Sequence, residues 1–187
     1  MAAVDKYVVY DDVNYIKGGW VARNNLIIGG KKQMFHIELS GASPNKHFNE
    51  IFIRDDFRKL RKTLQVNYSK APYYDKAMEL MESVFSYEDK RLSHFIANSF
   101  KLILSYLSID TELIMSSDLQ KDNSLKGKDK VIDICQRLGA NTYYNAIGGQ
   151  ELYSKEEFKK HGIELCFVKP QEVPYSQTAT PLFLGCL

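Results

Sequence analysis

The sequence predicts an α/β fold with a mainly parallel central sheet flanked by helices, a β-hairpin near the N-terminus and a helical insertion. Three observations carry that expectation. The β-branched and aromatic run KYVVY at residues 6–10 has no polar interruption, which suits a strand covered on both faces. Strand-like and helical periods alternate between residues 111 and 168, the pattern of βαβ connections and a parallel sheet. Between these parts, about residues 55–108 place apolar side chains at helical spacing.

Each element has its own signal. Residues 20–28 and 33–39 are strand-like arms around Gly29-Gly30, a hairpin turn pair. In the second arm Met34, His36 and Glu38 alternate with Phe35, Ile37 and Leu39. SGASPNK at 40–46 is a loop by composition. Phe57, Leu60, Leu64 and Tyr68 form one helical face behind the N-terminal acids Asp55 and Asp56. Pro72 suits the start of a second helix with Met78, Met81, Val84 and Phe85 inward. A third helix spans about 90–107. Residues 111–115, 142–144 and 163–168 are strand-like. Val131, Ile134, Cys135 and Leu138 mark a helix over 128–138 stopped by Gly139. Ser154 with Glu157 is a capping-box signature for a helix ending near Gly162.

Composition narrows the function classes. The 187 residues are 44% hydrophobic and 26% charged, a single globular domain over 1–187 with ordinary usage. The net charge of +2 is spread along the chain, whereas a nucleic-acid reader concentrates basic residues in a patch, so nucleic acid is not the expected partner. Cys135, Cys166 and Cys186 are an odd set without CxxC spacing, which argues against a disulfide framework and for a reducing compartment. The first residues lack a signal-peptide pattern, and the apolar window at 100–107 is too short to span a bilayer. A soluble cytoplasmic protein without membrane insertion is expected. Homo-oligomerisation is left open.

Candidate chemistry sits where predicted strands end, the place at which open α/β sheets collect ligands. Asp11-Asp12-Val13-Asn14 follows the opening strand and offers carboxylates for acid–base work or sugar binding. Neighbours on an extended chain point opposite ways, so both carboxylates face one ligand only if the chain bends. The plain alternative is a turn in which an Asp caps backbone amides. Trp20 offers a flat wall for a sugar or base, and Arg23, beside Asn24, can fork onto phosphate or carboxylate. The alternative is a half-buried Trp beside a surface Arg. Ser117 and the Gly148-Gly149 pair follow later strands, with a hydroxyl and closely approachable backbone, and can equally be plain turns. His36, His47, His94 and His161 show no zinc spacing, and His94 reads as a satisfied structural histidine. No P-loop, GxGxxG or GxSxG motif occurs. No motif names a cofactor, which stays unknown; a water-liganded Mg²⁺ on Asp11 and Asp12 is compatible with the sequence.

Several segments together resemble the WbqC-like family of bacterial proteins. They are VDKYVVYDDVNY at 4–15, GWVARN at 19–24, APYY at 71–74 and LGANTYY at 138–144. Gly148-Gly149, Tyr153, Phe158, Gly162-Ile163 and PYSQ at 174–177 continue the resemblance in order. It implies a place in O-antigen and other surface-polysaccharide assembly, with transfer of an acyl or aminoacyl group onto an amino sugar. By the same resemblance Asp11, Asp12, Asn14, Trp20, Arg23, Asn24, Gly149, Tyr175 and Gln177 match the family's pattern. The implied partner is a small-molecule substrate, either a nucleotide sugar or an acyl or aminoacyl donor. A non-catalytic nucleotide-sugar binding or assembly protein is the alternative. The family pattern implies an earlier strand and helix and a longer final helix, so the chain is expected to be truncated at both ends, with 178–187 outside the pattern and an inactive remnant as a further reading. Asn145-Ala146 stands where the pattern has Ser-Gly.

Overall fold

A computed structural model describes residues 1–171. They fall into two compact units, one comprising Met1–Met115 and the other starting at Ser116.

In the first unit, β1 (Lys6–Val9) pairs in parallel with β6 (Glu112–Met115), Lys6 opposite Glu112 and Val9 opposite Met115. Parallel partners need a crossover, and here the hairpin and the helical segment lie between them in the chain. Burial along β1 rises from exposed Lys6 to buried Val9, so the KYVV run is not covered on both faces throughout. The hairpin consists of β2 (Arg23–Ile28) antiparallel to β3 (Lys31–His36). Gly29 and Gly30 join them at φ 56° and 75°, the left-handed pair that a tight two-residue turn requires and that glycine adopts without steric penalty. The amides of Arg23, Asn25 and Ile27 donate to the Trp20 carbonyl, to Asn24 Oδ1 at 2.8 Å and to Tyr68 Oη at 2.8 Å. Beyond it β4 (Leu39–Ser40) and β5 (Phe52–Ile53) form a short antiparallel pair.

Three helices follow: α1 (Arg58–Tyr68), α2 (Tyr74–Phe85) and α3 (Leu92–Tyr106). Asp55 Oδ1 accepts from the Phe57 amide at 2.7 Å and Asp56 Oδ1 from the Arg58 amide at 3.0 Å, so both acids work at the helix entrance. Phe57 is left-handed at φ 59°, a conformation that costs a non-glycine residue about 1–2 kcal/mol. Its packing offsets this: the ring is 1% exposed and stacks on Phe85 at 4.7 Å and Phe95 at 5.4 Å. Tyr15, Phe48, Ile51 and Leu92 complete that core. At the far end of α3 the Ser108 amide donates to Ser105 O at 3.1 Å and the Ile109 amide to Leu104 O at 2.9 Å, with Ser108 left-handed at φ 53°. This paired closure is a Schellman stop.

The second unit contains α4 (Gly127–Arg137), β7 (Thr142–Ala146), α5 (Lys155–Lys160) and β8 (Glu164–Val168). β7 and β8 are parallel, Thr142 opposite Glu164, with α5 between them in the chain. Ser154 Oγ accepts from the Glu157 amide, the N-cap half of the expected capping box, while the Glu157 carboxylate accepts from Lys128 Nζ. Phe158, Ile163 and Leu165 pack with Val131, Ile132 and Cys135, and burial pushes the Cys135 thiol up to about 11.

The α/β class stands, but the single, mainly parallel central sheet does not appear. Among the described residues the strands pair two by two; β1–β6 and β7–β8 are parallel, while β2–β3 and β4–β5 are antiparallel. An apolar run reports that a strand is covered and says nothing of which strand lies beside it.

Candidate functional site

Beyond β1 the chain bends as the Asp11 amide donates back to Val9 O at 3.0 Å. The strap that follows runs antiparallel to residues 46–49. Asn49 donates to Asp11 O at 2.9 Å, Phe48 to Val13 O at 2.9 Å and Tyr15 to Lys46 O at 2.9 Å, and Asn14 bridges His47. Extended backbone alternates its side chains. Asp11 is accordingly fully buried and Tyr15 nearly so, Asp12 is half-buried, and Asn14 is exposed. Of the two adjacent residues, Asp12 is the partly exposed one, although its Oδ1 is buried.

The segment after the strap places Trp20 and Arg23 together. The Gly19 amide closes a turn onto Ile16 O at 2.9 Å, and Trp20–Ala22 forms a 3-10 turn instead of the start of the hairpin arm. Buried Ala22 anchors the turn and leaves the indole 65% exposed. Arg23 opens β2 and is half-buried, its guanidinium carbon 4.6 Å from the centroid of the Trp20 ring. The burial is the reverse of a half-buried Trp beside a surface Arg. Arg23 Nε is buried and, among the described residues, has no hydrogen-bond partner. Asn24 spends its Oδ1 on the Asn25 amide, a backbone-capping role.

The second unit holds Ser117, Gly148 and Gly149. Ser117 is exposed in the 3-10 turn Ser116–Asp118, next to Ser116, whose Oγ is buried with no hydrogen-bond partner among the described residues. Lys121 Nζ donates to the Ser116 carbonyl. Gly148 and Gly149 lie in the 3-10 turn Ile147–Gly149 after β7. A Cβ on Gly149 would sit 2.6 Å from Asn145 Nδ2, so the small residue gives room to the Asn145 amide. Tyr175 and Gln177 lie outside the described residues.

One feature carries no signature among the expected site residues. Lys130, a charged residue within the helix expected over 128–138, is 7% exposed on α4. Its position four residues before Ile134, on the apolar stripe, was the available signal. At the entrance of α3, His94 Nδ1 lies 3.1 Å from Asp89 Oδ2, the partner expected of a satisfied structural histidine. Asp89 also binds the Arg91 side chain, which, with backbone and His94 contributions, holds its carboxyl down at about 2. No group of three or more His, Cys, Asp or Glu that could hold a metal occurs among the described residues. No described helix is long and apolar enough to cross a membrane.

Comparison with known proteins completes the picture. The model of the WbqC-like protein family matches residues 1–187. A relative from Mycobacterium tuberculosis, the uncharacterized protein Rv1507c, is 24% identical over 170 residues, which is 88% of this chain and 72% of the relative. No solved structure matches.

Proposed function

Taking as premise that the chain belongs to the WbqC-like protein family, we propose that it transfers an acyl or aminoacyl group onto an amino sugar in the assembly of a bacterial surface polysaccharide such as O-antigen. The observation that carries this reading is the Asp11-Asp12 bend at the carboxyl end of a strand in a parallel pair, where α/β folds place ligands. Asp12, partly exposed where Asp11 is fully buried, is the general base, and Asp11 sets the position of the bend. The amine nitrogen of the sugar attacks the acyl carbon of the donor and a C–N bond forms. The bond between that carbon and its carrier breaks, the carrier leaves with the electron pair, and Asp12 takes the proton lost by the amine.

The test is transfer of an acyl or aminoacyl group to an amino-sugar acceptor, read by product mass. Asp12→Asn is expected to lower kcat/KM by roughly 100-fold or more, the usual loss when a general base is removed. Wild-type turnover by Asp12→Asn would falsify the assignment. A second reading, a non-catalytic nucleotide-sugar binding or assembly protein of the same pathway, is favoured by the exposed Trp20 ring. A ligand that binds and is recovered unchanged selects it.

A further inference from the structure

Arginines in this chain are otherwise paired. Arg54, Arg58, Arg61, Arg91 and Arg137 each approach a carboxylate at 3.1 Å or less. Arg23 departs from that pattern: among the described residues it has neither an ion pair nor an acceptor for its buried Nε–H. A guanidinium carries five donors in a fixed fork, and leaving a buried donor unmatched is unfavourable. The guanidinium lies beside the Trp20 ring, which attracts a cation but accepts no conventional hydrogen bond. The indole lies against the guanidinium, and the terminal amino groups of Arg23, engaged by no acceptor among the described residues, carry the donors an oxyanion would take. The indole is itself 65% exposed and offers a flat apolar wall beside that fork.

From this geometry we infer that Arg23 and Trp20 form an oxyanion subsite, taking the phosphate or carboxylate of a small molecule on the guanidinium and a ring attached to it on the indole. The subsite goes beyond the base assigned to Asp12, and binding at it is read without turnover. A failure of the transfer reaction therefore leaves it standing.

Trp20 is the chain's single tryptophan, so its fluorescence reports this subsite directly. The full chain is titrated with inorganic pyrophosphate, acetate and uridine diphosphate at constant ionic strength, and melting is followed in parallel. A saturable change with pyrophosphate is expected for a phosphate ligand, and one with acetate for a carboxylate. Uridine diphosphate binding several-fold tighter than pyrophosphate supports the ring on Trp20, and equal binding removes that part of the inference. Arg23→Gln is expected to weaken binding by roughly tenfold or more, the loss of one charge-assisted contact. Arg23→Lys, which keeps the charge and loses the fork, should fall between, and the ligand-induced rise in Tm should follow the same order. Two outcomes overturn the subsite: no saturable response to any of the three probes, or an unchanged response in a folded Arg23→Gln protein.

Discussion

Ser108 stands in the left-handed conformation at the stop of α3, a position that glycine fills more easily. Ser108→Gly should therefore stabilise the protein by about 0.5–1 kcal/mol, relief of backbone strain outweighing the entropy of the more flexible unfolded chain. The midpoint of urea unfolding checks this, and a lower midpoint would contradict it. Phe57 is left-handed as well, yet its ring lies between Phe85 and Phe95. Sequence pattern marks Phe57 as an apolar helix residue and cannot show its backbone angle, because tertiary packing imposes it. Legibility at the candidate site divides the same way. Asp11, Asp12, Trp20 and Arg23 stand out by residue type and position after a strand. That Asp11 is buried, that Trp20 is exposed and that Arg23 lies against its ring follow from three-dimensional packing.

Helix α3 shows what a helix entrance adds. Asp89 accepts from the Arg91 amide at 2.9 Å and from its guanidinium, and lies beside His94. These contacts lower its pKa from the model-peptide value of 3.8 to about 2. A carboxyl depressed on folding contributes stability above its unfolded pKa and loses it as pH falls through the folded one. Asp89 should thus stabilise the chain above pH 3.8 and cease to do so near pH 2. Between those values Tm should fall more steeply for the wild type than for Asp89→Asn; parallel curves would remove Asp89 from the acid transition. Among the elements, helices were the most legible. The third was expected over about 90–107 and spans Leu92–Tyr106, because a long amphipathic stripe fixes both its type and its extent. The two-residue strands β4 and β5 went unseen, since two residues display no period.

For the whole molecule, charge supplies a prediction that no single contact does. The sequence pI is about 8.3 and the formal net charge at neutral pH is only +2. Repulsion between copies is weakest where net charge vanishes. Turbidity followed from neutral to alkaline pH should peak near 8.3, and a minimum there would show that charge does not govern self-association. Sheet organisation was the least legible level. Alternating strands and helices correctly implied β7–α5–β8, a local unit whose parallel strands are close in sequence. The same reasoning assumed that the other strands join one sheet. The partner of β1 lies beyond the whole helical segment, and the intervening strands pair with their own neighbours. Pairing across such distances depends on loop closure and packing, which local periodicity does not encode.

The sealed rim of β2 has a further consequence. The Trp20 carbonyl, the Asn24 side chain and the Tyr68 hydroxyl occupy three alternate amides along that strand. An incoming strand finds those donors already engaged, which disfavours added pairing there even though β2 carries the β-prone run Leu26-Ile27-Ile28. A side-chain oxygen and a phenol thus engage donors on that edge of β2, where other proteins place a lysine or a proline.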